Sequence, residues 1–140
     1  MITGKKEISI APKNSNMSIF GSIANLPDLV KKWAWDGEFV INGQTVSELG
    51  LRCKSIEHKQ GTNEFTLTFD EFDDFFATNT LTNVWQQGIS FDFSTRIYDS
   101  ALKNVTFTKT YKNCIITRID EFDLSQTSSE KLQLNVHCKF

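Results

Sequence analysis

The chain has 140 residues, of which 39% are hydrophobic and 23% are charged, and its formal net charge is −2. This length and composition predict one folded domain over residues 1–140 with a core of its own, and they argue against a disordered chain. The small negative charge also argues against a protein that grips nucleic acid by neutralising phosphates, because such a protein needs a basic stripe.

The N-terminal segment is weakly patterned. Residues 1–18 are mostly polar, and only Ile8 and Ile10 hint at a short strand. The segment lacks the hydrophobic core of a secretion signal. We therefore predict an N-terminal arm over residues 1–18 that becomes ordered on a partner, in a protein made and kept in the cytoplasm or in a particle assembled there.

A short helix, a hairpin and a strand pair are predicted next. The helix is indicated by apolar residues at helical spacing, with Pro27 and Asp28 in the first turn: Leu26, Leu29, Val30 and Trp33. Asn42-Gly43 between apolar runs predicts a tight hairpin turn. Residues 51–58 and 64–70 predict a strand pair around Gly61, and the inward side of its second strand carries Phe65, Leu67 and Phe69.

After Asp70 the hydrophobic period becomes helical. The apolar positions are Phe72, Phe75, Phe76, Leu81, Val84 and Trp85, and Gly88 ends the helix. Asn79 and two threonines weaken its middle, so that a bent or broken helix is one outcome. Two acidic clusters are interpreted as helix-start and turn residues, with a functional negative surface as the alternative: Asp70, Glu71, Asp73 and Asp74, then Asp120, Glu121 and Asp123.

The last third alternates between apolar and polar residues, which predicts antiparallel strands. These strands cover residues 89–97, 105–111, 114–119 and 132–140, and the segment starting at Cys114 is apolar on both sides, as in a central strand. The side opposite Val105 and Phe107 is rich in threonine. The predicted fold is therefore mainly β: a small antiparallel β-barrel or sandwich with one flanking α-helix and an N-terminal arm.

No catalytic, cofactor-binding or metal-binding residue is predicted. Zinc would need a set drawn from Cys53, His58, Cys114, His137 and Cys138, but no close pair of cysteines exists, and His137 and Cys138 point to opposite faces of one strand. The odd, sparse cysteines indicate free thiols among apolar neighbours. The carboxylates resemble turn residues more than an acid–base pair. The sequence contains no nucleophile elbow and no phosphate-binding loop.

The three tryptophans are candidate contact residues. Trp33 and Trp85 lie on predicted apolar helix stripes, which indicates core or interface anchors more than stacking platforms. Trp35 does not follow the pattern, and a contact between subunits is one of the roles open to it. The sequence has no apolar run long enough to cross a membrane, and so we expect no membrane partner.

The order of motifs from residue 51 to the C-terminus resembles the tail tube proteins of contractile bacteriophages and related injection machines. The resemblance depends on the strand Phe65–Phe69, the acidic turn and the helix ending near Trp85. It continues in Tyr111–Ile116, in Asp123-Leu124-Ser125 and in the terminal strand around Leu134. Before residue 51 the resemblance is absent or unclear.

The resemblance implies a structural subunit of the virion tail, without enzymatic activity or cofactor, made in the cytoplasm of a bacterial host. Its copies form six-membered rings that stack into a hollow tube for DNA or a tape-measure protein, and sheath and baseplate proteins are further partners. DNA in the lumen is not bound sequence-specifically. Alternatives are a baseplate, tail-initiator or secretion-system tube paralogue of the same fold, or a monomeric β-barrel that holds a small ligand.

Overall fold

The computed structural model describes residues 26–140, so the predicted N-terminal arm, including Ile8 and Ile10, lies outside the described part. The chain divides into two units after Lys31. In the first unit, the described residues 26–31 have no regular secondary structure. The second unit, Lys32–Phe140, carries the fold described below. That the whole chain is one domain stays a prediction.

The second unit is built mainly from antiparallel strands. Its elements are β1 (Trp35–Ile41), β2 (Gln44–Thr45), α1 (Ser47–Arg52), β3 (Cys53–His58), β4 (Glu64–Asp70), α2 (Phe76–Gln87), β5 (Phe91–Tyr98), β6 (Val105–Ile119) and β7 (Gln133–Lys139). The strands form one seven-stranded sheet in the order β2-β1-β5-β6-β7-β4-β3. The mainly β class predicted from the sequence is confirmed. The predicted hairpin is also confirmed, because Asn42 and Gly43 join β1 to β2 with φ angles of 53° and 76°.

Strand β6 belongs to two halves of the sheet. Its first part, up to Cys114, pairs with β5, and its last part, Ile115–Ile119, pairs with β7. Between them Asn113 has a φ of 55°, a left-handed conformation that asparagine adopts more readily than most residues. We infer that the strand turns a corner there, since the register on each side is also shifted. The sequence predicted two strands here, and the structure joins them into one central strand.

The core lies between the two halves of the sheet. The ring of Phe65 on β4 lies 4.8 Å from that of Tyr111 on β6 and 6.0 Å from that of Phe93 on β5, between centroids. Four residues further along β4, the ring of Phe69 lies 5.7 Å from that of Phe39 on β1. β4 therefore crosses over the strands of the opposite half, as in orthogonal sheet packing. Each of these buried phenylalanines stabilises the fold by roughly 1.5–3 kcal/mol.

Helix α1 packs on strand β1 and was not predicted. Gly50 is buried, and a Cβ atom at this position would collide with the backbone carbonyl oxygen of Gly37 on β1. A Cβ on Gly37 would in turn lie 2.9 Å from the ring of Phe93. Gly50 thus allows helix and strand to approach backbone to backbone, and Gly37 leaves room for the ring of Phe93.

Helix α2 is one continuous helix that buries Ala77, Leu81 and Val84, and the predicted end at Gly88 is confirmed by its φ of 63°. Two acidic side chains before the helix accept hydrogen bonds from its first free backbone N–H groups. The Oδ1 atom of Asp74 lies 3.0 Å from the nitrogen of Phe76, and Glu71 accepts from the N–H and the hydroxyl of Thr78. The helix starts later than its apolar pattern predicted, since Phe72 and Phe75 precede it.

The helix predicted over residues 26–33 is wrong, because this stretch contains only a bend, a turn and irregular chain. Its four apolar side chains are all exposed, Leu29 to 81% and Trp33 to 66%. A helix this short gains its stability by burying an apolar stripe, and these side chains are not buried.

Candidate assembly surfaces

The first part of β6 has one edge without a strand partner in the described chain. Residues 105–113 lie beside β5 on one side, while β7 pairs only with the later part of β6. Residues 105–110 are exposed on both faces of the strand, and Phe107 keeps 59% of its surface accessible. A long strand edge of this kind offers unpaired N–H and C=O groups to another chain.

The outer face of β1, β5 and the first part of β6 is polar. Asp36 anchors it, because its carboxylate oxygens lie 2.8 Å from the Nε atom of Arg96 and 2.6 Å from the hydroxyl of Tyr98. Ser94 and Thr110 are hydrogen-bonded across the strands at 2.9 Å. The strand alternation places three carboxylates and two cations on this face, together with the threonines of β6: Asp36, Glu38, Asp92, Arg96, Lys112, Thr106, Thr108 and Thr110. The predicted threonine-rich face therefore exists and carries a small negative excess.

The outer face of β4 and β7 is held by hydrogen bonds between neighbouring strands. His137 lies 3.1 Å from the hydroxyl of Thr66 through Nδ1 and 3.0 Å from a carboxylate oxygen of Asp120 through Nε2. Arg118 also reaches Asp120 at 3.0 Å. The hydrogen bonds from His137 and then Arg118 lower the pKa of Asp120. These contacts explain Asp120 as a structural residue at the end of β6.

A third surface surrounds Arg52 at the end of α1. Its guanidinium makes two hydrogen bonds to Asp74, at 2.6 and 2.8 Å, and lies 5.0 Å above the centre of the Phe72 ring. The hydrogen bond to Asp74 is the largest factor that raises the pKa of Arg52, and the same contact lowers the pKa of Asp74 to about 2. Apolar residues close to this ion pair along the chain are exposed, with Leu51 accessible to 71%, Phe72 to 52% and Phe75 to 39%. We call Leu51, Phe72 and Phe75 the helix patch.

The cysteines and histidines considered for zinc do not meet in one site. All three thiols are buried, and burial raises the pKa of Cys53 to about 12 and that of Cys114 to about 11. His137 lies on the opposite face of β7 from Cys138, and Nε2 of His58 is hydrogen-bonded to the carbonyl oxygen of Thr62. Within residues 26–140, no three His, Cys, Asp or Glu side chains are grouped so that they could hold a metal ion.

The remaining predicted candidates have different environments. Trp35 is on β1, half-buried against the core, and Trp85 on α2 is 39% exposed. Asp70 is a nearly buried residue of β4 rather than a solvated turn residue, because it binds Gln133 and Lys131 at 3.0 and 3.2 Å. Neither helix of the second unit is long and apolar enough to cross a bilayer.

Neither the role of Arg52 nor the exposure of β6 was predicted from the sequence. Arg52 could not be linked to the acidic cluster, because α1 was not predicted. For β6 a signal was present, since Lys109 interrupts an apolar side that otherwise runs through Val105, Phe107 and Tyr111. A lysine on the core side of a strand indicates that this part of the strand has left the core.

Comparisons with known proteins identify the fold. No protein-family model matches the sequence, and no curated protein matches it either. A chain in the six-fold symmetrised structure of the anti-feeding prophage baseplate superimposes with a TM-score of 0.60 at 11% identity, covering 81% of this chain and 93% of that one. Hcp1 from Salmonella typhimurium gives a TM-score of 0.43 at 13% identity, over 76% and 81% of the two chains, a likeness too low to support an argument. The chain therefore shares its fold with a subunit of a prophage baseplate, the type of fold that its resemblance to tail tube proteins predicted.

Proposed function

We propose that this protein is a structural subunit that self-assembles into six-membered rings, and that these rings stack into the hollow tail tube of a phage-type contractile particle. The observation that carries the proposal is the unpaired edge of β6 over residues 105–113. A single copy with such an edge is prone to uncontrolled pairing, whereas a closed ring gives each copy a neighbour.

The polar outer face of β1, β5 and β6 suits the wall of a conduit. Its threonines are easily wetted, and its small negative excess repels phosphate groups weakly. A basic wall would instead hold DNA through release of counterions and hinder its passage. We propose that this face lines the lumen, through which DNA or a tape-measure protein passes without sequence-specific contacts.

The role is architectural, and we propose no enzymatic activity. The partners are further copies of the same chain, together with tail sheath, baseplate and tape-measure proteins. The protein is made in the cytoplasm of a bacterial host and resides in the virion tail. The polar face of the sheet and the packed aromatic interior suit a wall-forming subunit better than a monomeric barrel that holds a ligand.

A position in the baseplate or at the start of the tube is the second candidate. It is favoured by the fold shared with a chain of the anti-feeding prophage baseplate. A baseplate or initiator subunit would form rings of the same kind but would not polymerise alone. A tube subunit of a secretion system is a further alternative of the same fold, and it shares the assembly proposed here.

Negative-stain microscopy and light scattering of the purified chain over a range of concentrations test the proposal. We expect rings near six-fold symmetry for either position, with long tubes for the shaft and single or paired rings for the baseplate. A monodisperse monomer at high concentration would contradict both candidates.

A further inference from the structure

The end of the β5–β6 hairpin exposes apolar side chains, and that of Phe107 is on the same side of the sheet as the core. Phe107 pairs with Ile97, and Lys109 pairs with Thr95. Phe107 and Lys109 therefore lie on the same face of the sheet as Phe93 and Tyr111, where the other half of the sheet no longer covers that face. Phe107 is 59% exposed, and Leu102 and Val105 near the turn are 49% and 44% exposed. We call Leu102, Lys103, Val105, Phe107 and Lys109 the hairpin end.

The hairpin end is basic. Lys103 and Lys109 are both exposed, and Lys109 lies 5.1 Å above the ring centre of Tyr111. The acid of the turn, Asp99, uses its carboxylate to accept hydrogen bonds from the N–H of Lys103 and the side-chain amide of Asn104. These hydrogen bonds, first the one from the N–H of Lys103, lower the pKa of Asp99, which stays charged, so with Lys103 and Lys109 this end of the hairpin has one positive charge in excess.

The helix patch has the opposite charge. Asp73 is exposed between Phe72 and Asp74. Phe75 contacts Phe122 with 6.1 Å between ring centres, and Glu121, the residue before Phe122 in the chain, is exposed. The cation of the patch, Arg52, is already neutralised by its two hydrogen bonds to Asp74. The helix patch thus combines exposed apolar groups with an acidic border.

We propose that the hairpin end of one copy binds the helix patch of a second copy, and that this contact joins successive rings of the tube. The two surfaces match in both respects, since each exposes apolar groups and their borders carry opposite charges. They are different surfaces of one chain, so the contact is head-to-tail and can repeat from ring to ring along the tube.

The direction of the contact follows from the strand geometry. A partner paired with the edge of β6 extends the sheet sideways, whereas the turn of the hairpin lies at the end of β5 and β6, so that a partner there is met along the direction of the strands. The edge and the hairpin end therefore serve two different neighbours. This inference rests on the proposed function, in which the edge contact closes the ring.

Charge reversal tests the contact. The first variant, Lys103→Glu/Lys109→Glu, makes the hairpin end acidic, and the second, Asp73→Lys/Glu121→Lys, makes the helix patch basic. In either variant alone like charges meet, so we expect rings but a rise of about tenfold or more in the protein concentration needed for tubes. Mixing rings of the two variants restores complementary charges at every contact, and we expect tubes again.

The matched control is Lys59→Glu, to be compared with Lys103→Glu alone. Lys59 is an exposed lysine of the β3–β4 turn outside both surfaces, and its reversal should leave tube formation unchanged. Tubes from either charge-reversed variant at the wild-type concentration, or failure of the mixture to form tubes, would overturn this inference while leaving the rings in place. Absence of rings in the wild-type protein would overturn the proposed function and this contact together.

Discussion

Gly50 shows how a single missing side chain determines the packing of α1. Intrinsic propensity disfavours glycine within a helix by about 1 kcal/mol relative to alanine. At this position the carbonyl oxygen of Gly37 occupies the space that a Cβ atom would need. Packing therefore outweighs helix propensity here. For Gly50→Ala, propensity predicts a higher free energy of unfolding and packing predicts a lower one.

We expect Gly50→Ala to destabilise the protein by about 1–3 kcal/mol, in the range of an overpacked core, although propensity alone predicts a gain. The measurement is the free energy of unfolding from urea titration of dilute protein. Ser47→Ala, at an exposed position of the same helix, is the control and should change stability by less than about 0.5 kcal/mol. Stabilisation by Gly50→Ala would contradict the close approach of α1 to β1.

The ion pair between Arg52 and Asp74 makes stability depend on pH. Its hydrogen bond lowers the pKa of Asp74 from 3.8 to about 2, so the carboxylate stays charged in the folded protein at a pH where it is protonated in the unfolded chain. A lowered pKa contributes stability that is fully present above about pH 4 and is lost as the pH falls towards 2.

We therefore expect the difference in unfolding free energy between wild type and Asp74→Asn to be constant above about pH 5 and to shrink between about pH 4 and 2. Urea unfolding at a series of pH values measures this difference. Arg52→Gln removes the same hydrogen bonds and should reproduce the loss of pH dependence. A wild-type advantage that stays constant down to pH 2 would show that the ion pair does not lower this pKa.

At the scale of elements, the sequence correctly predicted those strands and helices whose apolar residues are also their buried residues. Phe65, Leu67 and Phe69 alternate along β4 and are all buried, as expected. The failures have physical causes. α1 is six residues long and contains Gly50, so propensity and periodicity give no signal for it. The stripe of Leu26 to Trp33 has helical spacing, but its side chains remain exposed.

The candidate surfaces were less predictable than the core, because they depend on contacts between distant residues. Arg52 and Asp74 are 22 positions apart, and no local pattern connects them. The threonine-rich face of β6 was predicted, because alternation alone places Thr106, Thr108 and Thr110 together. That the free edge lies on β6 could not be predicted, since it requires knowledge that β7 pairs only with the later part of β6.

The free edge of β6 predicts a change in amide hydrogen exchange on assembly. Apart from Asn113, whose N–H donates to Asp92 at 2.9 Å, the outward-pointing N–H groups of residues 105–113 have no strand partner within the described chain and should exchange rapidly in dilute protein. In assembled rings we expect the slowest of them to exchange about tenfold or more slowly, because a neighbouring copy accepts their hydrogen bonds. Residue-resolved exchange measured below and above the assembly concentration tests this.

Strand β4 provides the internal reference for that experiment. It lies between β3 and β7 and is paired on both sides, so its amides should be protected to the same degree in both states. Unchanged exchange over residues 105–113 in rings that are visible by microscopy would mean that ring closure uses another surface.

For the whole molecule, the described fold supplies contacts in two directions. The edge of β6 extends the sheet sideways, and the hairpin end exposes apolar side chains and lysines to a partner at the end of the strands. A stack of rings held by one patch per subunit depends on many weak contacts acting together, and such contacts are strengthened when a second segment of each chain also links neighbours. The predicted arm, residues 1–18, is the segment proposed for this link.

Deleting residues 1–18 should therefore shorten the tubes while leaving the rings intact. The hairpin end and the helix patch remain in the truncated chain, so some stacking should persist at high concentration, but the additional link between copies is lost. Tube length in negative-stain images and the concentration at which light scattering rises are the two measurements. The control replaces residues 1–18 by a glycine and serine segment of equal length, which keeps the bulk of the arm but removes Ile8 and Ile10. If the truncated and replaced chains both give tubes of wild-type length, the arm does not bridge copies, and the contacts of residues 32–140 are sufficient for stacking.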